Sequence, residues 1–278
     1  MDFCKSKEYF VGVDSDGTVF DSMKIKHTYS FIPAAVIIFE LEDYADIFKE
    51  AEEKINLYST TRGINRFPGL LLALRETEKA GSKIEELDEF EEFVKNSSSF
   101  SEKGVIEWIE QRPSKIMDKV LQWSRLSDSF FEKGTENLPP FENVKETIAY
   151  MNANANIMVV SAASSKSLQK DWKNAGLSDK VDFIAGQEFG KKKEQLLYAK
   201  ERGFDSEHML MIGDAPGDYE AAVGTGAMFY PIIPGKEKEC WDKLHNKYFD
   251  MFINGKYTGE TEQELYKEFE DFLKGEEK

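Results

Sequence analysis

The sequence predicts an α/β fold with a parallel sheet and an all-helical module inserted into it. From residue 137 onward, short apolar runs alternate with segments that have helical spacing. Such alternation is typical of βαβ units, which build parallel sheets. Residues 23–136 instead have apolar residues at helical spacing and no convincing strand pattern. We therefore predict a core of residues 1–22 and 137–278 around a helical insert of residues 23–136.

The first predicted strand covers residues 9–13 and leads directly into Asp14, Asp16, Gly17 and Thr18. Its apolar residues suit a central strand covered on both faces, and Gly17 permits an abrupt turn after it. Further strands are predicted at 157–160, 181–184, 209–212 and 228–232, and helices at 144–151, 165–175, 192–201 and 219–223. The chain thus has the succession of elements that a parallel sheet requires.

Two helix starts are predicted from capping boxes, in which a Ser or Thr and a following Glu satisfy backbone N–H groups at the helix start. The first, Ser82 with Glu85, lies in the helical insert. The second, Thr261 with Glu264, precedes an apolar stripe close to the C-terminus.

Composition limits the partners of this chain. A net charge of −16 and a pI near 4.8 argue against nucleic acid and anionic membranes, because phosphate-rich surfaces require a basic protein face. The two cysteines, Cys4 and Cys240, have no metal-site or redox-pair spacing, and the N-terminal residues lack the apolar core of a signal peptide. We expect a cytoplasmic protein, and the sequence does not indicate its oligomeric state.

Polar residues follow the predicted strands at the places where open α/β sheets bind ligands. They are Asp14 and Asp16 after the first strand, Ser161 after the second, Lys191, Lys192 and Lys193 after Gly190, and Asp214 and Asp218 after Gly213. Carboxylates, a hydroxyl and a lysine are the groups that metal-assisted phosphate chemistry needs. Each has a simpler interpretation, such as a solvated turn or, for Ser161, the N-cap of the next helix.

In type, order and position these residues resemble the motifs of the haloacid dehalogenase-like (HAD) hydrolase superfamily: Asp-x-Asp-Gly-Thr, a strand-end Ser or Thr, a Lys, and Gly-Asp-x-x-x-Asp. The helical insert lies where that superfamily has its first type of cap domain, so the resemblance covers essentially the whole chain. It implies a Rossmann-like three-layer core and a mobile helical cap. The motifs are specific for the superfamily and poorly specific for the substrate.

The resemblance also implies roles for the acidic residues. Asp14 would attack phosphorus and form an aspartyl-phosphate, and Asp16 would act as general acid and then general base. Mg²⁺ would be held by Asp14, by the backbone carbonyl of Asp16 and by Asp214, a hard oxygen set. Asp218 would steer metal-bound water or the lysine.

Three further core residues are expected to bind the substrate phosphoryl group or to orient the nucleophile. Ser161 would donate a hydrogen bond to a phosphoryl oxygen, and Lys192 would place a positive charge on the same group. Lys191 and Lys193 remain alternatives to Lys192. Thr18 is expected to orient Asp14.

Substrate choice is expected to come from the insert. Arg62 and Asn65 lie in an unusual segment between two predicted helices and are candidates for binding a sugar or a second anionic group. The alternative is an ordinary helix cap with arginines paired to nearby acids. His27, just past the start of the insert, is a weaker candidate.

The resulting prediction is a Mg²⁺-dependent phosphatase that acts on a small phosphorylated metabolite. A phosphomutase of the β-phosphoglucomutase kind has the same residues and cap type, and a non-catalytic binding protein could keep the same fold. Dehalogenase chemistry is disfavoured, because it has no use for an acid/base at Asp16 or for the metal-binding set.

Overall fold

A computed structural model of the chain describes residues 3–134 and 138–275. These residues form two compact units, one of residues 3–22 and 138–275 and the other of residues 23–134. Each unit has hydrophobic clusters of its own. The predicted boundary between residues 136 and 137 lies outside the described residues. Within the described ranges, no helix has both the length and the apolar character needed to cross a membrane.

The first unit, here called the α/β unit, contains a five-stranded sheet in the order β3-β2-β1-β4-β5. All neighbouring strands are parallel. The strands are β1 (Tyr9–Val13), β2 (Ala155–Val160), β3 (Phe183–Ala185), β4 (Met209–Gly213) and β5 (Met228–Pro231). The predicted α/β fold with a parallel sheet is confirmed.

The strand order reverses beside β1. The chain proceeds from β1 to β2 and β3 on one side, and then to β4 and β5 on the other. Ligands of open α/β sheets bind in the crevice outside the strand ends at such a reversal. Val13 pairs with Ile212, so Asp14 and Asp214 follow neighbouring strand ends at this crevice.

The second unit, here called the helical unit, contains helices α1 (Ser22–Lys26), α2 (Ile32–Phe39), α3 (Ala45–Leu57), α4 (Arg66–Lys79), α5 (Leu87–Asn96), α6 (Glu102–Gln111) and α7 (Lys115–Gly134). Ser22, the first residue of α1, belongs to the α/β unit. A π-helical segment, His27–Phe31, joins α1 to α2. The core of the helical unit is rich in buried aromatic residues, including Phe67, Phe93 and Trp123.

The capping box predicted at Ser82 is wrong, because α5 begins only at Leu87. Glu86 has a left-handed backbone, with φ of 59°, which a helix running from residue 83 cannot contain. Its carboxylate instead accepts hydrogen bonds from the backbone N–H groups of Lys115 and Ile116, at the start of α7. The contact of Glu86 with the start of α7 is thus found where the local sequence pattern predicts a helix start at Ser82.

The remaining helices belong to the α/β unit: α8 (Val144–Asn154), α9 (Ser165–Asn174), α10 (Lys192–Lys200), α11 (Pro216–Val223), α12 (Glu237–Lys243), α13 (Phe249–Ile253) and α14 (Gly259–Lys274). The predicted start of α14 at Thr261 is three residues late, since the N-cap is Thr258, whose hydroxyl accepts from the backbone N–H of Thr261.

Helices cover both faces of the sheet, because side chains of successive strand residues point to opposite faces. On one face, Val11 of β1 belongs to a cluster with residues of α8, α9, α12, α13 and α14. On the other face, Phe10 belongs to a cluster with residues of α10 and α11. These three layers are the predicted Rossmann-like arrangement.

Candidate active site

The loop after β1 turns sharply and is held by its own backbone. The N–H of Asp14 donates to the carbonyl of Ile212 at 2.9 Å, which continues the pairing of β1 with β4. Gly17 then adopts φ of 80°, a conformation that favours glycine, and its N–H donates to Phe20. This turn leaves Asp14 buried and Asp16 half-buried, and the hydroxyl of Ser22 donates to the Asp16 carboxylate.

Two buried tryptophans also hold this loop. The indole N–H of Trp172, on α9, donates to the hydroxyl of Ser15 at 3.0 Å. The indole N–H of Trp241, on α12, donates to the carbonyl of Thr18 at 2.9 Å. The sequence does not predict these contacts. A buried indole usually finds a partner for its N–H, but a sequence pattern does not say which one.

Three carboxylates converge beside this loop. Asp14, Asp214 and Asp218 are all buried, and each has an oxygen within 4.8 Å of one on each of the other two. The hydroxyl of Thr18 donates to Asp214 at 2.5 Å and lies 3.4 Å from an oxygen of Asp14. Thr18 thus lies near Asp14, as predicted, but its shorter contact is to Asp214.

Asp218 can enter this cluster because of Gly213. A Cβ at Gly213 would overlap the Asp218 carboxylate, so only glycine leaves the space that this side chain occupies. One Asp218 oxygen accepts from the backbone N–H of Ala215 at 3.1 Å. The other faces Lys192.

Lys192 lies between two of the carboxylates. Its ammonium nitrogen is 3.0 Å from Oδ1 of Asp14 and 2.6 Å from Oδ1 of Asp218. Lys191 and Lys193 are both exposed. Of the three lysines that the sequence left open, Lys192 is the one placed beside Asp14.

Burial and charge together set the protonation of this cluster. Burial raises the pKa of Asp14 well above its ordinary value, and the attraction of Lys192 only partly opposes this. Burial also raises the pKa of Asp218, again against the effect of Lys192. Burial alone would lower the pKa of Lys192, but Asp14 and Asp218 outweigh it and the pKa is raised, so the ammonium keeps its proton.

The donor set fits a divalent metal ion. Three buried carboxyl groups lie within 4.8 Å of one another, and a cation bound among them would favour their ionised forms, which burial alone disfavours. Carboxylate oxygens are the ligands that Mg²⁺ prefers. Among the described residues, the carboxylate of Asp16 does not belong to this cluster, and the metal contact expected of its backbone carbonyl stays a prediction.

Ser161 lies directly after β2, the strand beside β1. Its backbone N–H is shared between the carbonyl of Ala185 at 3.1 Å and the side-chain oxygen of Gln195 at 3.0 Å. Its hydroxyl oxygen accepts from the backbone N–H of Ala163, so the hydroxyl proton points elsewhere. The alternative role of helix cap belongs to Ser164, whose side chain accepts from the backbone N–H of Ser167 at 3.2 Å.

The predicted residues of the insert lie in the helical unit. Arg62 is buried, and its guanidinium donates to the carbonyl of Leu57 at 2.7 Å. Asn65 is the N-cap of α4, where its side chain accepts from the backbone N–H of Phe67. His27 is buried and hydrogen-bonded to Glu52. Substrate contacts of Arg62 and Asn65 stay predictions.

Known proteins were compared with the chain by sequence and by structure. A protein-family model described as haloacid dehalogenase-like hydrolase matches residues 71–231, which is more than half of the chain. The match includes Ser161, Lys192, Asp214 and Asp218 and begins after Asp14 and Asp16. No curated protein sequence gives a significant match.

Solved structures resemble the chain in fold. A predicted phosphoglycolate phosphatase from Haemophilus somnus 129pt has a TM-score of 0.55 and 16% identity, over 83% of this chain and 88% of that one. A putative phosphoglycolate phosphatase from Lactobacillus delbrueckii subsp. bulgaricus has a TM-score of 0.53 and 14% identity, over 90% of this chain and 98% of that one. An L-2-haloacid dehalogenase from Xanthobacter autotrophicus has a TM-score of 0.44 and 16% identity, over 88% of this chain and 87% of that one.

The family match contains the strand ends and helix starts that carry Ser161, Lys192, Asp214 and Asp218. The two solved structures whose TM-scores exceed 0.5 are similar to the chain in fold. The chain belongs to the haloacid dehalogenase-like hydrolase family and is a hydrolase.

Proposed function

We propose that the protein is a Mg²⁺-dependent phosphatase that hydrolyses a small phosphorylated metabolite through an aspartyl-phosphate on Asp14. The observation that carries the proposal is the position of the Lys192 ammonium, 3.0 Å from Asp14 Oδ1 and within a buried cluster of three carboxylates. A nucleophile, a cation for phosphoryl oxygens and oxygen ligands for a metal thus lie together at the strand reversal.

The chain's own residues supply the covalent steps. A carboxylate oxygen of Asp14 attacks phosphorus, while Asp16 gives a proton to the departing oxygen of the substrate. Asp16 then takes a proton from a water molecule, which attacks the phosphoaspartate, releases phosphate and restores Asp14. Asp16 is suited to this exchange because it is half-buried, so water can reach it, and Ser22 holds its carboxylate.

Lys192 and Ser161 bind the phosphoryl group. The Lys192 ammonium stabilises the charge of the phosphoryl oxygens in both transition states. Asp218 positions that ammonium through their 2.6 Å contact. Ser161 donates its hydroxyl proton to a phosphoryl oxygen.

Mg²⁺ would be held by Asp14, by the backbone carbonyl of Asp16 and by Asp214, with Thr18 fixing the Asp214 carboxylate. When bound, the ion neutralises phosphoryl charge and lets the anionic Asp14 approach an anionic substrate. The two solved structures with TM-scores above 0.5 carry phosphoglycolate phosphatase designations, so phosphoglycolate belongs among the substrates to be tested.

The test is phosphate release from an aryl phosphate and from a panel of phosphorylated metabolites. We expect turnover that requires Mg²⁺, stops in chelator and is abolished by Asp14→Asn, because an amide cannot act as the nucleophile. Asp205→Asn is the matched control, since Asp205 is an exposed aspartate of the same unit. Full activity in chelator, or unchanged turnover of the Asp14→Asn variant, would contradict the proposal.

A further inference from the structure

Gln195 is a polar residue in the interior of the α/β unit. It lies on α10, three residues after Lys192, and its exposed fraction is 0%. Its neighbour Leu196 belongs to the hydrophobic cluster on that face of the sheet. A buried amide among apolar side chains is costly unless all its polar atoms are paired.

The amide of Gln195 joins three separate backbone segments. Its oxygen accepts from the N–H of Ser161 at 3.0 Å. Its nitrogen lies 2.9 Å from the carbonyl of Ser161 and 3.0 Å from those of Gly186 and Gly190. These partners also assign the oxygen and the nitrogen of the amide, because only the NH₂ group can donate to carbonyls.

Each of these segments leads to the candidate active site. Ser161 follows β2, Gly186 follows β3, and Gly190 immediately precedes the lysine run that opens α10. Gln195 thus sets the distance between the end of β2 and the helix that bears Lys192. No other natural side chain of similar length has both the acceptor and the two donors that this place uses.

We propose that Gln195 is a positioning residue, which holds Ser161 in the geometry needed to bind the phosphoryl group. The inference rests on the proposed phosphatase function. The hydrogen bonds of the Gln195 amide go to backbone groups, so any effect on the phosphoryl group acts through Ser161. A misplacement of about 1 Å can lower a rate about 100-fold, so losing this fixation should be visible in kinetics.

The kinetic test is a double-mutant cycle on kcat/KM for an aryl phosphate with Mg²⁺. Gln195→Met has similar length but makes none of these hydrogen bonds, and we expect it to lower kcat/KM about 10- to 100-fold. In a Ser161→Ala background the same change should cost less than about threefold, because the group that it positions is already absent. Leu196→Met, a conservative change at the adjacent buried residue, should stay within about twofold of wild type.

Hydrogen exchange gives a readout that does not depend on activity. Gln195→Met should speed exchange in peptides that cover residues 161–165 and 186–191 and leave β5 unchanged. If Gln195→Met does not fold, Gln195→Asn replaces it in both tests, since its amide is one methylene too short to reach all three segments. Equal losses in both backgrounds, or unchanged exchange, would overturn the inference. An inactive wild type with faster local exchange in the variant would instead overturn the phosphatase proposal alone.

Discussion

The strand-end site of the α/β unit and the buried polar groups of the helical unit differ in how fully they are hydrogen-bonded. In the site, Thr18, Lys192, Asp218 and Gln195 each contact at least one further polar group. Among the described residues of the helical unit, four buried side-chain atoms have no hydrogen-bond partner: Thr28 Oγ1, Glu52 Oε2, Asn56 Oδ1 and Ser127 Oγ.

The difference indicates where the molecule has a fixed geometry. Donors and acceptors that are hydrogen-bonded hold one arrangement and need little reorganisation during a reaction, which is what electrostatic catalysis requires. An unpaired buried hydroxyl fixes nothing and lowers stability. Removing one polar group should therefore have a large effect on turnover in the site and a small effect on stability in the helical unit.

The largest expected effect is that of Lys192→Ala. Loss of one group that stabilises transition-state charge costs about 2.7 to 4 kcal/mol, so kcat should fall about 100- to 1000-fold. Lys193→Ala is the matched control, because Lys193 is exposed and adjacent, and its turnover should stay within about twofold of wild type. Steady-state kinetics on an aryl phosphate measure kcat for both variants. Equal, mild effects of both changes would show that the lysine run is only a solvated surface.

A smaller effect is expected for Thr18→Val, which keeps the shape of the side chain and removes its hydrogen bond to Asp214. Hydrogen bonds to charged groups are worth about 1.5 to 3 kcal/mol, so kcat/KM should fall about 10- to 100-fold. Thr225→Val is the control, since the hydroxyl of Thr225 is also buried but bonds only carbonyls of α11, Ala221 and Ala222. If both variants lose activity equally, the Thr18 contact has no special role.

The smallest effect concerns two serines of the helical unit. Ser127→Ala removes a buried hydroxyl that has no hydrogen-bond partner among the described residues, in a helix where alanine is favoured. The free energy of unfolding should stay unchanged or rise by up to about 1 kcal/mol. Ser30→Ala removes a hydroxyl that donates to the backbone carbonyl of Ser127 at 2.5 Å. This change should lower the free energy of unfolding by about 1 kcal/mol. Urea unfolding measures the free energy of unfolding of both variants. If Ser127→Ala were the more destabilising of the two, the contrast between the two regions would be contradicted.

The sequence was sufficient for the sheet and for the polar residues that follow its strands. Short buried parallel strands are continuous apolar runs, and their carboxyl ends meet at one edge, so Asp14, Ser161 and Asp214 could be placed near one another in advance. To choose among the three lysines, one must also know at which residue α10 begins. Consecutive residues of a helix point in different directions, so only one of them can face Asp14.

The contacts that hold the site could not be predicted in the same way. The partners of Trp172 and Trp241 lie 157 and 223 residues away, and Gln195 bonds Ser161 across 34 residues. Apolar periodicity shows which face of a helix is buried, but not which backbone group a buried polar atom will meet. The capping box at Ser82 failed for a related reason, since Glu86 is bound by α7.

Asp16→Asn gives the most direct test of the central claim, that Asp14 becomes phosphorylated and Asp16 changes role between two steps. A phenolate leaving group of low proton affinity scarcely needs an acid, whereas water attacking the phosphoaspartate needs a base. With such a substrate at a concentration close to that of the enzyme, rapid mixing should show a burst of phenol and then a slow steady state. Mass spectrometry of the quenched protein should find the phosphoryl group on Asp14, and Asp14→Asn combined with Asp16→Asn should show neither. A linear time course without a covalent adduct would contradict the account.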